Sequence, residues 1–189
     1  GTSPSEAWAT LNKLEETKFD SGDTIRLHED SVFDDTLFFD GDVNGEGAEG
    51  APIILESYGE AGGKATINGN GKGYVDPMEK RDIYSTVTLY NASHWINRDL
   101  AITNIGAGED PNVISNKDRV GLYVLAKNNG LTKDIHVDNL TVSDVNGSWN
   151  AKDIGNGGIF FTVTGSPTGE VTRFHNVSVT NCQVENVTR

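Results

Sequence analysis

Cysteine, methionine and proline are scarce in this chain: Cys182 and Met78 each stand alone in their type, and only 5 prolines occur in 189 residues. A single thiol rules out an internal disulfide and leaves the redox compartment open. No apolar run approaches the roughly 18 residues that a membrane helix needs. The chain opens Gly-Thr-Ser rather than with a basic-then-apolar leader, and reads as a soluble, trimmed chain. Positive charge is also short. With 15 Lys+Arg against 28 Asp+Glu the formal charge is −13 and the pI is near 4.6. The clustered cations that phosphate contact requires are missing, which excludes nucleic acid as a partner. The acid load is uneven: residues 1–80 hold 17 acids and 6 bases, a net −11, and the remainder carries −2.

Glycine and asparagine are abundant, at 22 and 18 residues, and mark many turns and few long helices. Length and a hydrophobic content of 35% support one domain with a core. Only the first stretch reads as a helix. Ser3-Pro4-Ser5-Glu6 supplies an N-cap, a proline at the first helical position and a capping-box glutamate, and Trp8, Leu11 and Leu14 recur at helical spacing as far as about Thr17. Residues 1–20 are therefore expected to form a capping α-helix and 21–189 to form the domain that it covers. From Thr24 onward the pattern changes to short runs of Val, Ile, Thr and aromatics between Gly/Asn/Asp clusters, as in Thr24 to Leu27, Pro52 to Leu55, Val87 to Tyr90 and Gly158 to Val163.

Internal repetition narrows the choice among all-β folds. The segment Trp95 to Ile105 returns as Ile135 to Val145 and again as Val177 to Val187, at spacings of 40 and 42 residues. Asp99, Asn139 and Asn181 share one column; Ile102, Val142 and Val184 share an apolar one; Asn104, Asp144 and Asn186 share a third. An upstream strand precedes each copy, so the unit is strand, variable loop, strand, Asx turn, strand. Such a unit buries its apolar column only when stacked on a neighbour, which is the logic of a solenoid. Asn and Asp tolerate the left-handed conformation of a tight corner and hydrogen-bond their equivalents one coil away.

On these columns the sequence resembles the right-handed parallel β-helix, or pectin-lyase-like, superfamily. The opening coils, in Gly22 to Leu27 and Pro52 to Gly59, together with the later Gly157-Gly158-Ile159, resemble a bacterial carbohydrate-active family, glycoside hydrolase family 136 with its lacto-N-biosidases. Family 141 is close behind. That resemblance implies hydrolysis of host or plant oligosaccharides by two acidic residues, with calcium aiding folding, in a secreted or cell-surface protein without an organic cofactor. The chain stops in mid-repeat at Asn186-Val187-Thr188-Arg189. An open sheet edge pairs with other strands, so further coils are expected from a downstream segment or from a second chain.

Candidate site residues follow from what sugar chemistry needs. Glycosidases work with two carboxylates, and the loops between strands offer Asp118 and Asp153 as catalytic candidates. Trp149 is a stacking platform for a sugar ring, and Arg119 and Lys152 are substrate-binding cations. Asp144 lies in the Asx column, which favours a structural role. Asp40-Gly41-Asp42-Val43-Asn44-Gly45 spaces its oxygens like a calcium loop, so Asp40, Asp42 and Asn44 are candidate Ca2+ ligands. Its twelfth position is Ala51 instead of Glu, and an acidic turn is the competing reading. His28, His94, His136 and His175 show no metal-type spacing. Sequons at Asn91, Asn139, Asn146, Asn176 and Asn186 match the turn inventory of a solenoid.

Three functions remain open at this level: a glycoside hydrolase, a polysaccharide lyase of the alginate or chondroitin type, and a non-catalytic adhesin or structural subunit. An acidic chain is a less natural host for a polyanion, which places the lyase second.

Overall fold

β-Branched and aromatic residues alternating with polar ones fold into strands too short to bury a core alone, and the chain meets this by stacking them. A computed structural model describes residues 1–73, 83–110, 112–149, 155–165 and 171–188. The chain visits three sheets in strict rotation. The first sheet takes β1 (Thr24–His28), β4 (Ile53–Tyr58), β7 (Trp95–Arg98), β10 (Leu131–Asp138) and β13 (Arg173–Thr180). The second takes β2 (Val32–Phe33), β5 (Ala65–Asn68), β8 (Leu100–Asn104), β11 (Thr141–Asn146) and β14 (Gln183–Thr188). The third takes β3 (Leu37–Asp40), β6 (Ile83–Tyr90), β9 (Asp118–Lys127) and β12 (Gly157–Thr164). Every pairing between these strands is parallel. One strand per sheet per turn is the arrangement of a parallel β-helix-like solenoid, as the repeats predict. No helix among the described residues is long and apolar enough to cross a membrane.

The apolar columns run down the inside. Ile67, Ile102, Val142 and Val184 stand in register on the second sheet, and Leu37, Val87, Leu122 and Ile159 on the third. In the inner coils these side chains are buried, each removal from water contributing about 1.5–3 kcal/mol. One polar residue interrupts the first sheet: Asn97 stands between Leu55 and Val137, is buried, and neither of its amide atoms has a hydrogen-bond partner. At the last coil the column opens, with Val177 42%, Val179 48% and Val184 48% exposed.

Corners are built by Asx residues at positive φ. Asp99 (57°), Asn139 (50°) and Asn181 (52°) occupy one corner, and Asn139 Nδ2 donates to Asp99 Oδ1 at 2.7 Å. The third predicted column holds for Asp144 and Asn186, where Asn186 Nδ2 donates to Asp144 Oδ1 at 3.2 Å. Asn104 leaves it. The register shifts at Asp144 so that Asn104 pairs with Val145, and its buried amide donates to Tyr84 O (2.8 Å) and Val120 O (3.1 Å). On the outer face of the first sheet, Arg26, Glu56, Arg98 and Asp138 form a column alternating in sign. Glu56 accepts from Arg26 Nε at 2.9 Å and from Arg98 Nη2 at 2.5 Å.

The capping helix expected from Ser3 to Thr17 does not form. A 3₁₀ turn (Pro4–Glu6) and a single turn, α1 (Asn12–Glu15), replace it, and Trp8 is exposed. Leu11 and Leu14 nonetheless pack into the core with Phe19. Asn44 explains where the helix stops: its Nδ2 donates to the carbonyls of Leu14, Glu15 and Thr17 at 3.3, 2.8 and 3.0 Å. A tertiary tie thus takes acceptors that a longer helix would have used for its own ladder.

Candidate functional site

Connections within a coil differ in length, and one set of long ones falls side by side. First-to-second-sheet corners are as short as Asp99 alone. The second-to-third connections following β5, β8 and β11 are long, and they lie in successive coils. Loops on a rigid scaffold are where binding and catalytic residues concentrate. Ser115 forms a parallel bridge with Ser148, and Ser115 N donates to Gly147 O at 3.0 Å, so two of these loops continue the stacking of the strands they follow.

Arg119 ties them together. Its side chain is 4% exposed, and its guanidinium reaches Glu109 through two parallel bonds, Nη1 to Oε2 at 2.5 Å and Nη2 to Oε1 at 3.1 Å. The Asn146 amide closes a triangle, accepting from Arg119 Nη1 and donating to Glu109 Oε2 at 2.6 Å. Hydrogen bonding from Arg119 is the largest effect on Glu109 and, with that from Asn146 and the guanidinium charge, holds its pKa down to about 2 against the opposing effect of burial. Gly71, at φ +71°, lets the neighbouring loop approach: a Cβ there would lie 2.7 Å from Arg119 Nη2.

Asp118, one residue earlier, belongs to a second set of contacts. Its Oδ1 accepts from Ser148 Oγ and from Asn156 Nδ2 at 3.3 Å. Asn156 is the linchpin, since its Oδ1 accepts from Arg119 N (2.9 Å) and Ser148 N (3.1 Å) while its Nδ2 also donates to Ser148 O (3.1 Å). Trp149 follows Ser148 directly and is 74% exposed. Asp118 and Arg119, at the start of β9, are therefore gathered with Trp149 on the loop beside them.

No family model matches the chain. It is similar to lacto-N-biosidases. The protein of that name from Bifidobacterium longum subsp. longum is 29% identical across 100% of this chain. Two crystal structures of a glycoside hydrolase family 136 lacto-N-biosidase from Eubacterium ramulus, native and selenomethionine, superpose with TM-scores of 0.83 and 0.80 at 28% identity over 99% of the chain. The chain spans 14% of the Bifidobacterium relative and 32% of the Eubacterium one.

With the lacto-N-biosidases as relatives, the remaining expected residues fall as follows. Asp153 and Lys152 lie outside the described residues. Arg119 is engaged with Glu109 and Asn146, contacts that tie the start of β9 to the loop before it and to the end of β11. Of the expected calcium ligands, Asp40 and Asn44 each commit one oxygen to a backbone N–H. Asp40 caps α2 (Gly41–Asn44), accepting from Asp42 N at 2.9 Å, and Asn44 Oδ1 accepts from Asp40 N at 2.9 Å. Those two oxygens are then occupied by the cap of α2, and no group of three or more His, Cys, Asp or Glu able to hold a metal occurs among the described residues. Glu109 escaped the sequence reading because nothing in Glu109-Asp110 distinguishes it from a solvated loop; only the fold brings Arg119 and Asn146 to it.

Proposed function

We propose that this chain is part of a glycoside hydrolase that cleaves glycosidic bonds in oligosaccharides in the manner of lacto-N-biosidases. The observation that carries the reading is similarity over essentially the whole chain, 28–29% in sequence with TM-scores of 0.80 and 0.83. In this reading Asp118 and Asp153 are the two carboxylates of the hydrolysis, one protonating the leaving oxygen and the other acting on the opposite side of the sugar. Trp149 offers its indole face to a pyranose ring. Arg119, through Glu109 and Asn156, positions the loops. The right-handed β-helix of the pectin-lyase-like kind, secretion, and completion of the stack by further coils on the exposed Val177, Val179 and Val184 belong to the same proposal.

The test is an assay of lacto-N-type oligosaccharides and, in parallel, of the uronate polymers alginate and chondroitin, run on the chain alone and on the chain extended by further coils. Hydrolysis products without ultraviolet absorbance are the expected result. An absorbing, unsaturated product would put elimination in place of hydrolysis, and no release from either protein would leave a scaffold.

A further inference from the structure

Three of the four histidines meet in one place away from the Asp118 loops. A groove of about 510 Å³ runs over β7, β10 and β13 on the outside of the first sheet, with the Ala48–Ala51 turn as its wall. His94, His136 and His175 line it, while the fourth, His28, packs edge-on against Tyr58 elsewhere.

The lining is held in place by the stacking itself. His94, Asp134 and Asn176 occupy equivalent corner positions at φ 58°, 55° and 54°. Asp134 Oδ2 lies 3.1 Å from His94 Nδ1, and its Oδ1 accepts from Asn176 Nδ2 at 2.5 Å. In the adjacent row His136 stands in register with Ile96 and Ser178, and its Nδ1 meets Ser178 Oγ at 2.8 Å. That contact fixes the ring and leaves Nε2 for a ligand. Lys133 is in register with His175. A set of donors and acceptors fixed before binding loses little entropy on engaging a ligand.

Charge decides the class of ligand. Besides its histidines the lining carries two carboxylates, Glu49 and Asp134, and one ammonium, Lys133, and Asp134 already engages His94 and Asn176, so the mixed and small formal charge suits neither a polyanion nor a metal cation. Pro52 and Ile96 add an apolar surface among the polar groups. Mixed hydrogen-bonding groups around a small apolar floor suit the hydroxyls and C–H faces of an uncharged sugar. Coils repeat every 4.8 Å or so, close to the length of one pyranose ring, so successive coils present equivalent positions to successive sugars.

We propose that this groove is an oligosaccharide-binding subsite separate from the Asp118 loops, in which His136, His175 and Asn176 hydrogen-bond a neutral sugar chain lying along the stacking axis. The inference rests on the reading of the chain as oligosaccharide-directed, and its test separates the two. Long-range 1H–15N spectra of the histidine side chains are recorded while the chain is titrated at neutral pH with lactose, N-acetyllactosamine and cellotetraose. Saturable shifts at His136 and His175 with His28 unmoved are expected, and about a fivefold or greater rise in Kd in His136→Ala and in the exposed His175→Gln. Absence of saturable shifts at the groove histidines with all three sugars overturns the subsite, as does unchanged affinity in a folded His175→Gln variant. Hydrolysis of oligosaccharides by a protein whose groove histidines stay silent overturns the groove alone and leaves the hydrolase standing. Groove shifts with no hydrolysis by either the chain or its extended form support the groove and count against the hydrolase.

Discussion

Arg119 and Glu109 face each other through two parallel hydrogen bonds, the shorter at 2.5 Å, with the arginine almost wholly out of solvent and the glutamate 41% exposed. The pair joins the start of β9 to the loop before it, and both carry the surroundings of Asp118.

Acid should loosen this joint. Glu109 titrates near 2 in the folded chain, below its ordinary 4.5, so its contribution is complete above about pH 4.5 and is lost as pH falls toward 2. Solvent screening at so exposed a carboxylate limits the contribution to about 1 kcal/mol. Urea unfolding at neutral pH and near pH 3 should show Glu109→Gln less stable than wild type at neutral pH, with the gap shrinking in acid. Equal gaps at both pH values would contradict the assignment.

Asp118→Asn should lower kcat by about 100-fold or more with little change in KM, the range in which a lost acid or base falls. Asparagine keeps an oxygen to accept from Ser148 and Asn156, so the unfolding midpoint should stay put. Trp149→Ala should act the other way, raising KM more than it lowers kcat. Unaltered turnover in Asp118→Asn would remove that residue from the chemistry.

Asn97 is an expense inside the core. A buried amide without partners costs about 1–3 kcal/mol, so Asn97→Val, matching Val137 in the next coil, should raise stability by roughly 1–2 kcal/mol in urea unfolding. No gain would mean that an internal water satisfies the amide.

The Asx corners can be dissected at one position. Asn139→Ala should lose about 1–2 kcal/mol because it keeps neither the left-handed backbone at low cost nor the bond to Asp99. Asn139→Gly relieves the backbone alone and should fall between alanine and wild type. If glycine and alanine destabilise equally, strain is not the cause.

What could be read in the sequence was what repeats. Asp99, Asn139 and Asn181 were visible because a corner recurs once per coil with the same chemistry, and the strands around Ile102, Val142 and Val184 follow from that register. Features that occur once were not legible. The first turns carried convincing helix signals, yet Asn44, a residue far along the chain, claims the carbonyls of Leu14, Glu15 and Thr17. Asn104 matched its column by type and left it through a bulge at Asp144 that no residue announces. The loops gave up Asp118 and Trp149 by residue type, whereas Glu109, Asn146 and Asn156 acquire their roles only through contacts between coils.

The column of Arg26, Glu56, Arg98 and Asp138 works as a parity check on the count of coils. Losing the coil that carries Arg98 would set Glu56 beside Asp138, and losing the one with Glu56 would set Arg26 beside Arg98, in each case trading two attractions for a repulsion. Removal or insertion of coils in pairs leaves the sign sequence intact. The first sheet thus penalises odd changes in the number of coils more than even ones.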